Sequence, residues 1–205
     1  MSIKRNHPVE DAFNIEAGLP YSLRLDDFKI AMQDVYDFFF DVNKLLISKG
    51  LDRLEQMLRP AIMSGLLSDM LTASIAKHSR VLTQNLYHNG HPDLIVKNVY
   101  PRNEVKAGEK GIEIKTTRHK GGNVDTHGAR KQCLCVFVYE VDEDTEPAID
   151  RRPLTFTEVY LAEVDIADFR RNERGPLGTR TASLDRDGIA KLRRNWIYRL
   201  ERTSN

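Results

Sequence analysis

Two short stretches decide how this sequence folds: His-Pro-Asp-Leu-Ile-Val at residues 91–96 and Gly-Ile-Glu-Ile-Lys-Thr-Thr at residues 111–117. Both contain β-branched residues and are bounded by turn-forming residues, a pattern typical of β-strands. Side chains two residues apart on a strand face the same side, so Glu113 and Lys115 share one face of the second stretch. If the two strands pair, Asp93 at the mouth of the first lies close to Glu113. The sequence therefore predicts a site with two carboxylates and one ammonium.

The second half of the chain contains other stretches with the same β-like composition. Turn-rich segments separate them, which favours a sheet of several short strands. With the two quoted stretches, the predicted strands cover residues 81–87, 94–100, 111–117, 133–141 and 154–164.

The segments between these strands have distinct characters. A short helix fits residues 126–132, and the acid-rich residues 142–150 are predicted to form a solvated hairpin loop. Cys133 and Cys135 alternate along an apolar strand and face one side, which favours buried core residues over a functional role.

The first half of the chain has a helical period. Apolar residues recur every three or four positions, which predicts a helix from Asp26, as its N-cap, to Gly50, as its stop signal. A second helical stretch covers residues 51–58. Pro60 suits the first turn of a fresh helix or a kink, and the helical pattern that follows it ends near Ser79. The first twenty residues lack a period and are predicted to form an arm.

A final helix is predicted over residues 187–199, with Ser183 or Asp185 near its cap. Its basic residues surround Trp196 and Tyr198. This helix is either a second contact surface or an element whose two aromatic residues pack against the sheet while its arginines face water. The basic residues of this segment are Arg186, Lys191, Arg193, Arg194 and Arg199.

The composition excludes several classes of protein. The chain has 205 residues, of which 40% are hydrophobic and 30% charged, and this balance argues against a disordered tail, a collagen-like chain or a coiled rod. No apolar run approaches the roughly 18 residues that cross a bilayer, and no leader-like segment opens the sequence. Two cysteines cannot form a disulfide framework. We expect a soluble, cytoplasmic protein of α/β class.

The net charge of +1 conceals an uneven distribution of charge. Residues 115–131 hold five basic residues and one acidic residue, whereas residues 140–150 hold six acidic residues and no basic one. Basic residues in a loop contact phosphates and position a protein on DNA without reading its sequence. The candidates for DNA contacts are Arg118, Lys120 and Arg130, although an ordinary solvated basic loop has the same composition.

The predicted carboxylates suit a magnesium ion. Mg²⁺ prefers octahedral oxygen ligands and keeps several of its waters. Asp93, Glu113 and the Ile114 carbonyl could supply part of that shell, while Lys115 would orient or help to deprotonate an attacking water. The reaction that fits this set is hydrolysis of a phosphodiester. The competing structural interpretation is a surface strand with an alternating ion pair.

Pro92-Asp93 followed by Glu113-Ile114-Lys115 resembles the PD-(D/E)xK nuclease superfamily, which includes most type II restriction endonucleases. The resemblance covers residues 81–164 and implies a restriction-endonuclease-like core, a central mixed β-sheet flanked by helices. It implies that Asp93 and Glu113 hold the metal and that Lys115 is the catalytic lysine. Many members carry a further acidic residue on the helix before the core. The candidates here are Glu55 and Asp69, and the motif does not choose between them.

A second Glu-x-Lys, Glu104-Val105-Lys106, also follows Asp93. Turn-forming residues surround it, so it is not expected to form a rigid site. Four histidines near these segments give no recognisable zinc spacing. His91 either touches DNA or the leaving group or is a satisfied loop histidine. A phosphate-binding glycine loop ending in Lys-Ser or Lys-Thr is missing from the sequence, so no nucleotide cofactor is expected. The four histidines are His88, His91, His119 and His127.

These observations lead to one functional hypothesis. Residues 1–205 form a single nuclease domain: residues 1–80 are mainly helical and support dimerisation, residues 81–165 form the catalytic core, and residues 166–205 add a helix and a DNA contact. The expected protein is a Mg²⁺-dependent, site-specific type II endonuclease that acts on double-stranded DNA as a homodimer, with the Phe-rich helix over residues 26–48 at the dimer contact. The alternatives are a repair, recombination or transposon-associated nuclease of the same superfamily, and a DNA-binding protein with an inactive site.

Overall fold

The computed structural model describes residues 3–171 and 181–201, and the parts of the predicted arm and C-terminal segment outside these ranges are not described. Four α-helices, nine strands and four short 3₁₀ helices lie within the described residues. The α-helices are α1 (Leu25–Ser48), α2 (Leu54–Met57), α3 (Pro60–His78) and α4 (Arg186–Arg194). The strands are β1 (Leu82–Gln84), β2 (Leu94–Val96), β3 (Gly111–Thr117), β4 (Asp125–Thr126), β5 (Gln132–Glu140), β6 (Thr155–Val164), β7 (Phe169–Arg171), β8 (Ala182–Leu184) and β9 (Trp196–Arg199). The 3₁₀ helices cover Glu10–Ala12, Pro101–Asn103, Ala148–Asp150 and Ile166–Asp168.

Six strands form a mixed sheet in the order β1-β2-β3-β5-β6-β9. Neighbouring strands of this sheet are antiparallel, except that β3 and β5 are parallel. Their paired residues run from Ile112 with Cys133 to Thr117 with Val138. A smaller antiparallel sheet has the order β4-β8-β7. The predicted α/β class, a mixed sheet flanked by helices, is confirmed.

Helices cover one face of the large sheet. Phe28, Met32 and Val35 of α1 and Leu67 and Leu71 of α3 belong to the same buried cluster as the sheet residues on that side. On the opposite face, alternate residues of β5 pack with residues of α4, β7 and β8 in a second cluster. Because β5 is covered on both faces, eight of its nine residues are buried and its sequence is almost continuously apolar. This burial includes both cysteines, as predicted.

The helix signals of the first half are mostly correct. Gly50 has φ +73°, and the Leu51 N–H donates to the Leu46 carbonyl, so the predicted stop at Gly50 is confirmed as a Schellman turn. Pro60 occupies the first turn of α3, as predicted. The predicted N-cap at Asp26 is wrong, because the N-cap of α1 is Arg24. The Arg24 backbone N–H donates to the Asp27 carboxylate at 2.9 Å. Of the helical stretch predicted over residues 51–58, only α2, Leu54–Met57, is helical.

The described part of the predicted arm, residues 3–20, packs against the rest of the chain. Ala12 is buried, the Asn14 N–H donates to the Ile197 carbonyl at 3.0 Å, and the rings of Phe13 and Tyr198 pack edge to face. These residues lack a helical period because they lie against the β9 edge of the sheet, where a backbone bridge and aromatic packing hold them.

The helix predicted over residues 126–132 is absent, and this prediction is wrong. Thr126 ends β4, its hydroxyl donates to the Gly128 carbonyl at 3.0 Å, and the chain enters β5 at Gln132. Gly128 has φ +110°, which is incompatible with a helix. The crossover from β3 to β5 thus contains a short strand, and α4 with the small sheet covers the face that a crossover helix would cover.

The final helix is shorter than predicted. It ends at Arg194, and Trp196–Arg199 form β9 beside β6. Asp185 is the cap, because its carboxylate accepts the Gly188 N–H at 2.8 Å, whereas the Ser183 hydroxyl donates to Asp125. Tyr198 therefore packs into the core from a strand, and the helical grouping of Trp196 and Tyr198 with the arginines is wrong.

Two predicted strands are much shorter than expected. The stretches over residues 81–87 and 94–100 contain only the three-residue strands β1 and β2, whereas β3 has the predicted bounds. As a result β2 pairs only with Gly111 and Ile112 of β3. The rest of that edge of β3 is left without a neighbouring strand, and the candidate site lies there.

Residues 142–150 join β5 to β6, as predicted, and include a single 3₁₀ turn. Asp142 organises this connection, because its carboxylate accepts hydrogen bonds from Thr145 and Arg152. Among the described residues, no helix is long and apolar enough to cross a membrane.

Candidate functional site

The site begins at Asp93, one residue before β2. The Asp93 carboxylate accepts the Ile114 N–H at 2.8 Å, a bond that takes the place of the missing strand neighbour at this edge of β3. Because the N–H and C=O of a strand residue point to the same edge, the Ile114 carbonyl is directed toward the Asp93 side as well. The structure thus brings Asp93 to the strand that carries Glu113 and Lys115.

Glu113 is the centre of a compact hydrogen-bonded group. One carboxylate oxygen, Oε1, lies 2.6 Å from Lys115 Nζ, and the other, Oε2, lies 2.7 Å from His91 Nδ1. The exposed fraction of the side chain is only 10% for Glu113, 23% for Lys115 and 12% for His91. A carboxylate only accepts hydrogen bonds, so His91 Nδ1 carries the donated proton. Charged groups with so little exposure need these partners to offset the loss of water.

The two carboxyl groups titrate in opposite directions. Burial and the nearby charge of Glu113 raise the pKa of Asp93 to about 6. Burial would raise the pKa of Glu113 as well, but the hydrogen bond from His91 and the charge of Lys115 outweigh burial and lower it. Burial would lower the pKa of Lys115, yet the charges of Glu113 and Asp93 raise it. At neutral pH Lys115 is therefore an ammonium group.

Neighbouring loops hold Asp93 and His91 in place. The Asn85 amide donates to the Pro92 carbonyl at 3.1 Å and to the Val105 carbonyl at 2.8 Å, and the Asn85 N–H donates to the Asp93 carbonyl at 2.9 Å. The His91 N–H donates to the Lys106 carbonyl at 3.1 Å. Residues 104–106 thus contribute backbone bonds that support the loop of the site.

The second Glu-x-Lys does not form a second site. Glu104 follows a 3₁₀ turn, and its carboxylate pairs with Arg102 at 3.2 Å on the surface. Neither Glu104 nor Lys106 faces the groove described below. The predicted turn environment of this tripeptide is confirmed.

The donor set at the strand edge fits a magnesium ion. Asp93, Glu113 and the Ile114 carbonyl are hard oxygen donors. Burial and, after it, the charge of Glu113 raise the pKa of Asp93, and a divalent cation would offset both effects. The described residues contain no group of three or more His, Cys, Asp or Glu that could hold a metal. A site with two carboxylates suits Mg²⁺, which keeps several waters, better than it suits zinc.

The two candidates for a further acidic residue lie in different places. Asp69 is on the exposed face of α3 and lines the same groove as Asp93 and Lys115. Glu55 is on α2 and is buried, and its carboxylate accepts the Asn43 amide at 2.8 Å. Glu55 therefore joins α1 to α2, and it does not line the groove.

A groove of about 1080 Å³ runs along the open edge of β3. One wall is the exposed face of α3, where Ala61, Ser64, Gly65 and Ser68 leave room because their side chains are small. The floor holds Asp93, Ile114 and Lys115, and the other wall comes from the connection after β3 and from the small sheet. The sequence gives no signal for this wall of small residues, because the apolar period of α3 indicates only which face of the helix is buried.

The predicted basic residues are arranged unevenly around this groove. Arg118 lines it, but its guanidinium pairs with Glu143 at 2.8 Å. Arg130 donates to the His127 carbonyl at 3.0 Å, and its charge acts on Lys115. Lys120 is exposed and lies outside the groove lining.

Two residues near the site have contacts that the sequence did not specify. His91 is a satisfied loop histidine, one of its two interpretations, and its hydrogen-bond partner is Glu113; its position directly before Pro92-Asp93 is the only sequence signal for this contact. Arg170 of β7 lines the groove from the small sheet, and no local pattern indicates this.

The Phe-rich face of α1, predicted as a dimer contact, is mostly used within the chain. Phe39 is buried, and the Arg5 guanidinium lies 4.3 Å from the centroid of the Phe40 ring. Phe38 is 37% exposed. The width of this apolar stripe is thus explained by contacts with the sheet and with the N-terminal segment.

Comparison of the chain with protein-family models, with curated proteins and with solved structures finds no significant match.

Proposed function

We propose that this chain is a Mg²⁺-dependent endonuclease that hydrolyses phosphodiester bonds in double-stranded DNA, with the site-specific type II restriction enzymes as the class it resembles. One observation carries the proposal. Asp93 and Lys115 lie on the floor of a groove at an open strand edge, and the buried Glu113 bonds Lys115 directly beside them. Two carboxylates and an ammonium group at such a place suit phosphodiester hydrolysis with a divalent cation.

Each residue has a definite role in this proposal. Asp93, Glu113 and the Ile114 carbonyl would hold the ion, which when bound supplies positive charge at the phosphate and lowers the pKa of a water. Lys115 would release Glu113 Oε1 and, as an ammonium group, donate to the phosphate or to the attacking water. The raised pKa of Lys115 favours this role over that of a general base.

Three basic side chains of the groove support a polyanionic substrate, and they lie among three aspartates of the same lining, Asp69, Asp93 and Asp125. Arg118 and Arg170 lie on its walls, and the ammonium of Lys115 lies on its floor. Contacts of this kind position a protein on DNA phosphates without reading the sequence. These contacts support DNA as the class of substrate. The base sequence must be read by other groups.

The proposal is tested with the two Glu-x-Lys tripeptides, which serve as site and matched control. Glu113→Gln and Lys115→Ala should each lower single-turnover cleavage of a duplex by several orders of magnitude. Glu104→Gln and Lys106→Ala should change it by less than about tenfold, which corresponds to about 1.4 kcal/mol in the barrier. Circular dichroism checks that all four variants fold. Normal cleavage by the Glu113 and Lys115 variants would contradict the proposal.

Digestion of phage-sized duplex DNA with Mg²⁺ separates the neighbouring possibilities. Discrete bands support a site-specific restriction enzyme, whereas a smear or cutting confined to branched substrates supports a repair, recombination or transposon-associated nuclease. Binding of the duplex without cleavage supports a DNA-binding protein with an inactive site.

A further inference from the structure

A second cleft lies on the other side of Asp93. It has a volume of about 340 Å³ and shares Asp69, Thr72 and Asp93 with the groove, so the two spaces meet at the candidate metal site. Its remaining wall is formed by Gln84 at the end of β1 and by residues of the segment 85–90, which leads to His91. We call this space the loop cleft. A substrate strand that passes Asp93 along the groove leads into it.

The chemistry of the loop cleft differs from that of the groove. Lys115, Arg118 and Arg170 line the groove, whereas the described residues that line the loop cleft include no lysine and no arginine. Asp69 and Asp93 lie where the loop cleft joins the groove, so they do not distinguish the two spaces. Because the described lining of the loop cleft offers a phosphate no basic partner, an uncharged part of the substrate with hydrogen-bonding groups is favoured there.

The wall of the loop cleft is held rigid by its own hydrogen bonds. The Leu86 N–H donates to the Asn103 carbonyl at 3.0 Å, and the Tyr87 N–H donates to Asn85 Oδ1 at 3.1 Å. The Gly90 N–H closes the turn onto the Tyr87 carbonyl at 2.8 Å. A rigid wall lowers the entropy lost when a ligand binds.

This rigid wall displays groups that are not used within the chain. The side-chain amides of Gln84 and Asn89 bond no other described residue, and both line the cleft. Leu86 and Tyr87 are 63% and 43% exposed, an unusual pair of adjacent apolar side chains on a fixed turn. Amide groups pair with the edges of bases, and apolar or aromatic side chains pack on bases and sugars.

We propose that the loop cleft reads the base pair next to the cleaved phosphodiester, with Gln84 and Asn89 bonding base edges and with Tyr87 packing against the neighbouring nucleoside. This inference rests on the proposed nuclease function and adds to it the groups that confer sequence preference. The groove holds the phosphates, and the loop cleft takes the uncharged bases.

The test maps the ends that the protein produces. Mixed-sequence duplex DNA is digested with Mg²⁺, and the base frequencies beside the cuts are counted by sequencing. Wild type should show a preference at these positions, and Gln84→Ala and Asn89→Gly should each relax it by about tenfold or more. Glycine is used at position 89 because Asn89 has φ +55°. Tyr87→Ala should raise KM with a smaller effect on kcat.

Two controls make the test specific. Ile15→Ala removes an apolar side chain that is 88% exposed, on the segment that packs at the opposite, β9 edge of the sheet, and it should change nothing. The salt dependence of duplex binding should stay unchanged in Gln84→Ala, because that slope counts phosphate contacts.

The outcomes separate this inference from the proposed function. Wild-type cleavage with no preference beside the cut, or a preference that both amide variants retain, would overturn the role of the loop cleft and leave the nuclease proposal standing. A reduced salt slope in Gln84→Ala would show phosphate contacts and would also overturn it. A wild type that neither cuts nor binds duplex DNA would refute the proposed function itself.

Discussion

At the scale of single residues, Glu113 depends on partners that lie on both sides of it. Lys115 bonds one carboxylate oxygen and His91 bonds the other. Groups that hold a metal-binding carboxylate in place affect metal affinity or activity by about 10–100-fold. His91 is thus expected to act as a positioning residue for Glu113.

Three variants test the role of His91. His91→Asn places an amide donor near the position of Nδ1 and should retain most of the activity. His91→Gln places its amide near the position of Nε2, so it should lose about 10–100-fold, as should His91→Ala. The measurement is Mg²⁺ affinity by calorimetry together with single-turnover cleavage. Equal losses in His91→Asn and His91→Ala would show that the hydrogen bond to Glu113 is irrelevant.

Asp93 links pH to stability. Its pKa is raised in the folded chain to about 6 from an ordinary value of 3.8, so the folded state binds the proton more tightly than the unfolded state does. The stabilisation from Asp93 is therefore complete below about pH 4 and is lost as the pH rises through about 6. Without metal, Asp93→Asn should raise the free energy of unfolding at pH 8 by about 3 kcal/mol, the free energy that corresponds to a pKa raised from 3.8 to about 6, and should change it little at pH 4.

Addition of Mg²⁺ should reverse the order of these two proteins. An ion that binds only the folded state stabilises it in proportion to the logarithm of its concentration. Urea unfolding at pH 8 should therefore show stabilisation of wild type by millimolar Mg²⁺ and little effect on Asp93→Asn. A wild type that Mg²⁺ does not stabilise would contradict the assignment of Asp93 as a ligand.

At the scale of elements, the short β2 strand has the largest consequence. Its three residues leave the edge of β3 open beyond Ile112, and the loops on either side of β2 then have to be held by other bonds. Asn85 provides several of these, and Gly90 makes the close packing possible. A Cβ at Gly90 would lie 2.5 Å from Asn85 Nδ2 and 2.5 Å from the Val105 carbonyl oxygen.

Two glycine substitutions should therefore have opposite effects on stability. Gly90→Ala should destabilise the protein by about 1–3 kcal/mol and lower cleavage, because the new methyl group displaces Asn85 or Val105. Gly65 lies inside α3, and a Cβ added there would meet nothing within 4 Å, so Gly65→Ala should stabilise by about 0.5–1 kcal/mol. Thermal unfolding of both variants provides the comparison, and a stable Gly90→Ala would show that the loop adapts.

At the scale of the whole molecule, charge is segregated between the groove and the connection from β5 to β6. The acidic residues of this connection lie near one end of the groove, where Glu143 pairs with Arg118 at 2.8 Å. Part of the positive charge predicted for DNA contacts is thus neutralised within the chain. We expect duplex binding to weaken with salt because phosphate contacts release counterions.

Variants of this ion pair test the electrostatic account. Arg118→Ala should reduce the slope of log affinity against log salt concentration by the amount that corresponds to about one phosphate contact. Glu143→Gln should raise the affinity for duplex DNA at low salt, because it frees the Arg118 guanidinium. Lys120→Ala should have a smaller effect, since Lys120 lies outside the groove lining. The measurement is fluorescence anisotropy over a range of salt concentrations. An unchanged slope in Arg118→Ala would exclude this residue from the phosphate contacts.

The sequence by itself determined the elements whose signals are local. The apolar period and the stop at Gly50 located α1, Pro60 located the start of α3, and the β-branched alternation located β3 with Glu113 and Lys115 on one face. Its prediction that Asp93 meets this strand is confirmed by the bond to Ile114. These features depend on neighbours in the chain, so they can be recognised without knowledge of the fold.

Tertiary structure alone decided the features that depend on distant partners. Trp196–Arg199 became β9 because β6 offers an edge, although Arg199 resembles a continuation of the basic residues of α4. The crossover after β3 formed no helix because the small sheet and α4 cover that face. The same holds for the positions of Asp69, which lines the groove, and Glu55, which is buried beside Asn43, and for the pairing of Arg118 with Glu143. In each case the competing local structures have similar energies, and burial against a remote part of the chain selects one of them.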